Sequence, residues 1–197
     1  MLFRPLAIPG LIEFTCQRHG DERGYFAEAF RQSVFDQAME DGANHRFVQD
    51  NESFSARVGT IRGLHYQTAP MAQGKLVRCL SGAIMDVAVD IRAGSASYGQ
   101  WAALVLSAKA GNQLWIPPGF AHGFCTLAPD CRVSYKVTAY YSPEHDKGMR
   151  WDDPAIGIAW PAVADPETLS AKDRVQPLLA DIAPIFGCAP VIALEGE

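Results

Sequence analysis

No apolar run in this chain approaches the ~20 residues a helix needs to cross a bilayer. The first residues, Met1-Leu2-Phe3-Arg4-Pro5, open no long apolar stretch and precede no small-residue cleavage site, so no secretory leader is expected. Paired cysteines are also lacking. The five thiols, Cys16, Cys79, Cys125, Cys131 and Cys188, are odd in number and contain no CxxC. Zinc-ribbon and thioredoxin-type motifs are thereby excluded, and a secreted disulfide framework is disfavoured. Positive charge is in short supply, with 17 Lys and Arg against 22 Asp and Glu for a net charge of −5. Non-specific binding to nucleic acid or to an acidic membrane is therefore not expected. Internal repeats, low-complexity tracts and linkers are absent. What remains is 197 residues, 48% hydrophobic and 20% charged, which suits a single folded domain spanning 1–197. A cytoplasmic protein is expected, with a peripheral tail from about residue 181 to 197.

The patterning is mostly β. Residues 1–30 are short extended pieces broken at Pro9-Gly10 and Gly20-Asp21. Ser33 to Asp41 is the one helix candidate of the first half, with Ser33 as its cap and Phe35 and Met39 on one face. From Arg46 to Tyr141 the chain reads as strands. Two runs between Lys75 and Arg92 flank a tight turn at Ser81-Gly82. In the second run Met85, Val87, Val89 and Ile91 alternate with Asp86, Ala88, Asp90 and Arg92, which predicts one buried face. Trp101–Leu106, Gln113–Ile116 and Arg132–Ala139 are further strands, the last with Val133, Tyr135 and Val137 on one side. Leu169 to Ala180 is read as one or two short helices, with Ser170 as a cap. Many short strands with Gly/Pro turns predict a sandwich or barrel.

Polar groups interrupt these strands at informative places. Tyr135 sits in an apolar stripe, Lys75 opens the clearest strand, and Gln49-Asp50-Asn51 follows Phe47-Val48. His65 and His122 stand among turn residues. Each has an ordinary structural reading: a core tyrosine, a solvated lysine, an Asp-Asn turn, a structural histidine. Metal-binding cupin barrels pair a His-x-His motif and its Glu with a Pro-x-Gly-x-x-His motif. Pro117 to His122 resembles the second, but Tyr66 and Gln67 follow His65 and no acidic residue comes before Asp86. Two imidazoles are too few for a tight site. The expectation is a cupin-type antiparallel barrel, or jelly roll, that binds no metal and keeps a histidine as a base.

Collinear motifs then make the resemblance specific. They are Gly20-Asp21-Glu22-Arg23-Gly24-Tyr25-Phe26, Phe47-Val48-Gln49-Asp50-Asn51, Arg62-Gly63-Leu64-His65-Tyr66-Gln67 and Gln73-Gly74-Lys75-Leu76-Val77-Arg78. Later come Asp86-Val87-Ala88-Val89-Asp90-Ile91-Arg92, Tyr98-Gly99-Gln100-Trp101, Leu114-Trp115-Ile116-Pro117, Phe120-Ala121-His122-Gly123-Phe124, Tyr135-Lys136, Tyr140-Tyr141-Ser142-Pro143 and Leu169-Ser170-Ala171-Lys172-Asp173. From about Gly20 to Asp173 the chain resembles the dTDP-4-dehydrorhamnose 3,5-epimerases of dTDP-L-rhamnose synthesis. The resemblance implies His65 as the base, Asp173 as the acid that orients it and Tyr135 as the proton donor. It implies that Lys75, Arg62 and His122 line the sugar and phosphate site. Arg23, Glu28, Gln49, Asp50, Asn51 and Lys172 match further substrate contacts. Asp146 stands where the family usually carries Glu. A homodimer that exchanges N-terminal strands is also implied, with Arg23 and Glu28 serving the partner's site.

The chemistry suits these residue types. The implied substrate, dTDP-4-dehydro-6-deoxy-D-glucose, has a C4 ketone that acidifies the hydrogens on C3 and C5. The ketone is itself the electron sink, so no cofactor is needed. An imidazole titrates near ~6.5 when unperturbed and can accept such a proton near neutrality. A lysine can hold the enolate charge, and arginine matches a diphosphate in geometry. Two alternatives stand beside this reading: an epimerase acting at C3 or C5 only, and a non-catalytic sugar-nucleotide-binding cupin.

Overall fold

A computed structural model describes residues 1–39, 42 and 45–187. The chain opens with strands β1 (Leu2–Pro5), β2 (Ile12–Thr15), β3 (Arg18–Asp21) and β4 (Gly24–Ala27), then helix α1 (Gln32–Ala38). Next come β5 (Gln49–Ser55), β6 (Ile61–Gln67), β7 (Lys75–Ser81), β8 (Ala83–Asp90) and β9 (Arg92–Ala93). These are followed by β10 (Trp101–Ser107), β11 (Asn112–Ile116), β12 (Phe120–Thr126), β13 (Cys131–Val137) and β14 (Asp146–Gly148). Three 3₁₀ turns, Pro166–Thr168, Asp173–Val175 and Leu179–Asp181, precede the short β15 (Phe186–Gly187). Cys188 and the rest of the expected tail lie outside the described residues, as do Glu40 and Asp41 of the expected helix.

The expected mainly β jelly roll is present as two facing antiparallel sheets. One runs β1-β2-β11-β7-β13-β5 and the other β10-β8-β12-β6-β14; they are not hydrogen-bonded into one continuous barrel. Between them lies a core in which Val77, Leu114, Ile116 and Val133 from the first sheet meet Ile84, Ala88, Leu106 and Phe124 from the second. Each sheet is also covered on its outside. Helix α1 lays Phe35 on Phe14 and Trp115, with Phe35 and Trp115 rings 4.9 Å apart and nearly perpendicular. Burying one such phenylalanine contributes about 1.5–3 kcal/mol. The C-terminal segment packs Leu179, Ile182 and Phe186 over Val87, Val89 and Leu64 of the second sheet.

This double cover inverts one expectation. The apolar stripe of β8 includes Val87 and Val89, which face outward under the C-terminal segment. Its alternate face, with Asp86 and Ala88, points between the sheets. Both faces of β8 are buried, so alternation did not mark a solvent side.

Local chemistry fixes other features. Gly82 makes the β7–β8 turn at φ +76°, a conformation glycine adopts without strain. At Gly63 (φ +118°) a Cβ would stand 2.6 Å from the Gly123 Cα, so glycine there lets β6 press against β12 beside the two histidines. The helix differs from expectation at its start. Arg31, in extended conformation, occupies the N-cap position without a side-chain cap, and Ser33 lies inside the first turn. Ser170 is likewise not the N-cap: Lys172 holds that position of the Asp173–Val175 turn without a side-chain cap, although Ser170 Oγ accepts from the Asp173 N–H at 3.1 Å.

Candidate active site

Strand register gathers the candidate residues. His65 on β6 pairs with His122 on β12 and with Gly148 on β14, so the second sheet turns both imidazoles to its inner face. Opposite them, the first sheet contributes Lys75 at the start of β7, Tyr135 on β13 and Asn51, the β5 partner of Tyr135. Two cavities of about 310 and 240 Å³ share His65, Lys75 and Tyr135 in their walls. Gln49, Asn51 and Asp146 line the first, and Arg62, His122 and Asp173 the second. A larger cavity of about 720 Å³, around Pro9, Leu11 and Trp115, holds none of the candidates.

Two imidazole–carboxylate pairs stand here. His65 Nε2 lies 2.6 Å from Asp173 Oδ1, and Asp173 is almost fully buried. Burial pushes the Asp173 carboxyl up, but hydrogen bonds from His65, Ser170 and the Gly63 backbone outweigh it and hold the group below the usual carboxylate range. The carboxylate accepts from one ring nitrogen and leaves the other to the cavity. His122 Nε2 lies 2.7 Å from Asp86 Oδ1, and burial lowers the imidazole's affinity for a proton despite that carboxylate.

The other polar groups are tuned in complementary directions. Lys75 donates to the His65 carbonyl at 3.3 Å. Burial pulls its ammonium down to about 8, opposed by Asp146 and Asp86 and reinforced by Lys172. Burial raises the Tyr135 phenol, so it keeps its proton through the neutral range. Arg62 is anchored at the rim by Ser55 Oγ at 3.1 Å and the Phe54 carbonyl at 2.9 Å. Asp146 Oδ2 accepts from Tyr141 Oη at 3.1 Å and from Lys172.

Four expected contacts line neither cavity within one chain; Lys172 is one of them, bonded instead to Asp146. Alternation along β5 turns Gln49 and Asn51 to the cavity and Asp50 to the opposite face, where Lys136 holds it at 2.7 Å. Arg23 pairs with its neighbour Asp21, and Glu28 with Arg31; neither lines these cavities within one chain. Conversely, Gln67 and Asp86 were missed. Gln67 is buried and ties down the loop 140–142, bonding the Tyr140 carbonyl and the Ser142 N–H. Its place two residues after His65, facing the same side of β6, was the available signal.

A partly exposed histidine on a buried carboxylate, a buried lysine and a phenol around one cavity suit proton transfer next to a carbonyl. A family profile for dTDP-4-dehydrorhamnose 3,5-epimerase matches residues 5–181. This chain belongs to the dTDP-4-dehydrorhamnose 3,5-epimerase family. A family member from Sinorhizobium fredii is 53% identical over 186 residues, covering 94% of this chain and 93% of that one. The crystal structure of dTDP-6-deoxy-D-glucose-3,5-epimerase from Legionella pneumophila, in complex with dTDP-4-keto-L-rhamnose, superposes with a TM-score of 0.88. It is 40% identical in sequence, with 96% and 99% of the two chains covered. A more distant relative, the dTDP-4-dehydrorhamnose 3-epimerase of Streptomyces niveus, is 35% identical over 92% of this chain and 85% of that one. Across the described residues no group of three His, Cys, Asp or Glu is arranged to hold a metal ion, and no helix is long and apolar enough to span a membrane.

Proposed function

We propose that this chain inverts C3 and C5 of dTDP-4-dehydro-6-deoxy-D-glucose to give dTDP-4-dehydro-L-rhamnose. The observation that carries the reading is His65 of one sheet paired with Asp173 of a C-terminal turn, with Tyr135 on the other sheet, around a cavity that also holds Lys75. Asp173 sets the tautomer, leaving a ring nitrogen of His65 to take the proton beside the ketone. The electron pair moves onto the C4 oxygen, and Lys75 faces that charge with a preorganised ammonium. Tyr135 delivers a proton to the opposite face of the carbon, inverting it. Arg62 stands at the rim where a diphosphate can be gripped. Anchored by its remote nucleotide, the sugar is held in reactive geometry by binding energy spent away from the reacting carbons.

Product analysis by NMR in D₂O tests the reading. Deuterium is expected at both C3 and C5, with inverted configuration at each. Inversion at one carbon alone would instead support the single-centre alternative, for which the S. niveus 3-epimerase is a family example.

A homodimer completes the site in this reading. Among the described residues the β3–β4 hairpin pairs only with itself, and it exposes Tyr25 and Phe26 at 60% and 73%, with Arg23 at its turn. Such aromatic exposure suits a partner subunit, and two-fold association is the commonest closed arrangement. Light scattering should report a dimer. Arg23→Ala and His65→Ala chains, each impaired alone, should regain activity when mixed and reassociated, because one hybrid site has both groups. A fully active monomer, or mixtures no better than their parts, would rule this arrangement out.

A further inference from the structure

Asp86 is a carboxylate enclosed between the sheets, with no exposed surface. One oxygen meets His122, 2.7 Å away; the other is buried without a hydrogen-bond partner among the described residues. Folded proteins rarely leave a buried polar atom unpaired, and each exception calls for a physical reason. The groups around Lys75 supply one. His65, His122 and Asp146 face it from β6, β12 and β14, Tyr135 from β13, and Arg62, Lys172 and Asp173 from the rim and the C-terminal segment. Of the carboxylates, Asp173 is engaged by His65, and Asp146 by Lys172 and Tyr141. Asp146 opposes the loss of the Lys75 proton, but the Lys172 cation bonded to it works the other way. Asp86 stands on the inner face of β8 bonded to His122, which shares a cavity wall with Lys75; it also favours the charged Lys75, and no lysine or arginine among the described residues is bonded to it. Away from water its influence is weakly screened.

We propose that Asp86 is a positioning residue for the reaction: held against His122, it supplies the negative charge that keeps the Lys75 ammonium charged inside the cavity. It touches no reacting atom and acts through Lys75. The proposal rests on the epimerase reading of this cavity, and two measurements separate the fates of the two ideas.

The first needs no substrate. In the full chain with isotope-labelled lysines, the Lys75 signal, assigned by its loss in Lys75→Met, is titrated by NMR. Removing a carboxylate that favours the charged form makes the ammonium lose its proton at lower pH. In Asp86→Asn the Lys75 midpoint should therefore fall by about one pH unit, the scale for a nearby opposite charge. The second follows deuterium entry into the 4-keto sugar nucleotide across pH. The basic limb of kcat should move down with the Lys75 midpoint, giving about a threefold loss about half a pH unit below the wild-type midpoint and approaching about tenfold above it. KM should change little, and Asp86→Glu should keep the wild-type limb. Asp86→Ser, smaller and also neutral, serves if the amide prevents folding. An unmoved Lys75 midpoint in a folded neutral variant overturns the proposal. So does a rate that falls equally at every pH, which is the mark of lost packing. If wild type exchanges neither carbon, the epimerase reading fails while the Lys75 titration still judges the charge pairing.

Discussion

Replacing His65 by alanine is expected to stop deuterium entry at C3 and C5 together, lowering turnover by about 10² to 10⁴, the usual worth of a positioned base. The joint loss is the informative part. His65 is the imidazole whose carboxylate partner, Asp173, comes from a separate segment 108 residues along the chain and bonds it at 2.6 Å. Asp173→Ala should leave the base in place but free its ring and tautomer, so exchange falls at both carbons by a smaller factor. Should His65→Ala still exchange C3 at the normal rate, a second base serves that carbon. His122 is then the first suspect, since it lines the same cavity and has its own carboxylate in Asp86. Measuring both positions in one NMR experiment separates these outcomes.

The residues proposed to carry this chemistry are legible in the sequence because motif and register agree. His65, Lys75, Tyr135 and Asp173 come from four separate stretches of sequence, and the two sheets with the C-terminal turn bring them to one cavity. Strands expected at Trp101–Leu106, Gln113–Ile116 and Arg132–Ala139 are β10, β11 and β13, within a residue or two of expectation. Alternation was weaker at saying which face is buried. On β8 it assumed water on the Asp86 side, whereas a helix and a C-terminal segment cover the outer faces, so both sides of the central strands are buried. On β5 the polar string Gln49-Asp50-Asn51 suggested a turn, yet it is a strand that sends alternate side chains to the cavity and to the outside. Arg23 and Glu28 illustrate a different limit. A single folded chain gives them neighbours of their own, Asp21 and Arg31, and places them in the wall of neither cavity.

Tyr135→Phe divides the catalytic reading from the structural one most sharply. The phenol sits on the inner face of β13 after Val133, packed beside the core, and no hydrogen bond among the described residues ties its hydroxyl down. The substitution removes that hydroxyl and little else. Were Tyr135 only a packing residue, the variant would lose at most about 1 kcal/mol of stability and would invert its substrate normally. As the acid on the far face it has another signature. His65 still removes the proton and Lys75 still faces the enolate, so the carbon exchanges with solvent. With no phenol opposite, the proton returns from the His65 side. Deuterium therefore enters C5 with retained configuration while net inversion falls steeply, by a factor on the order of 10² to 10⁴. Burial raises the phenol and keeps it protonated at neutral pH, so the wild-type donor is available throughout the range of the assay. Following deuterium content and configuration at C5 in the same sample decides the matter. Inversion at the wild-type rate would remove Tyr135 from the mechanism and pass the role to water or to the Tyr141 hydroxyl, which lines the first cavity and is held by Asp146.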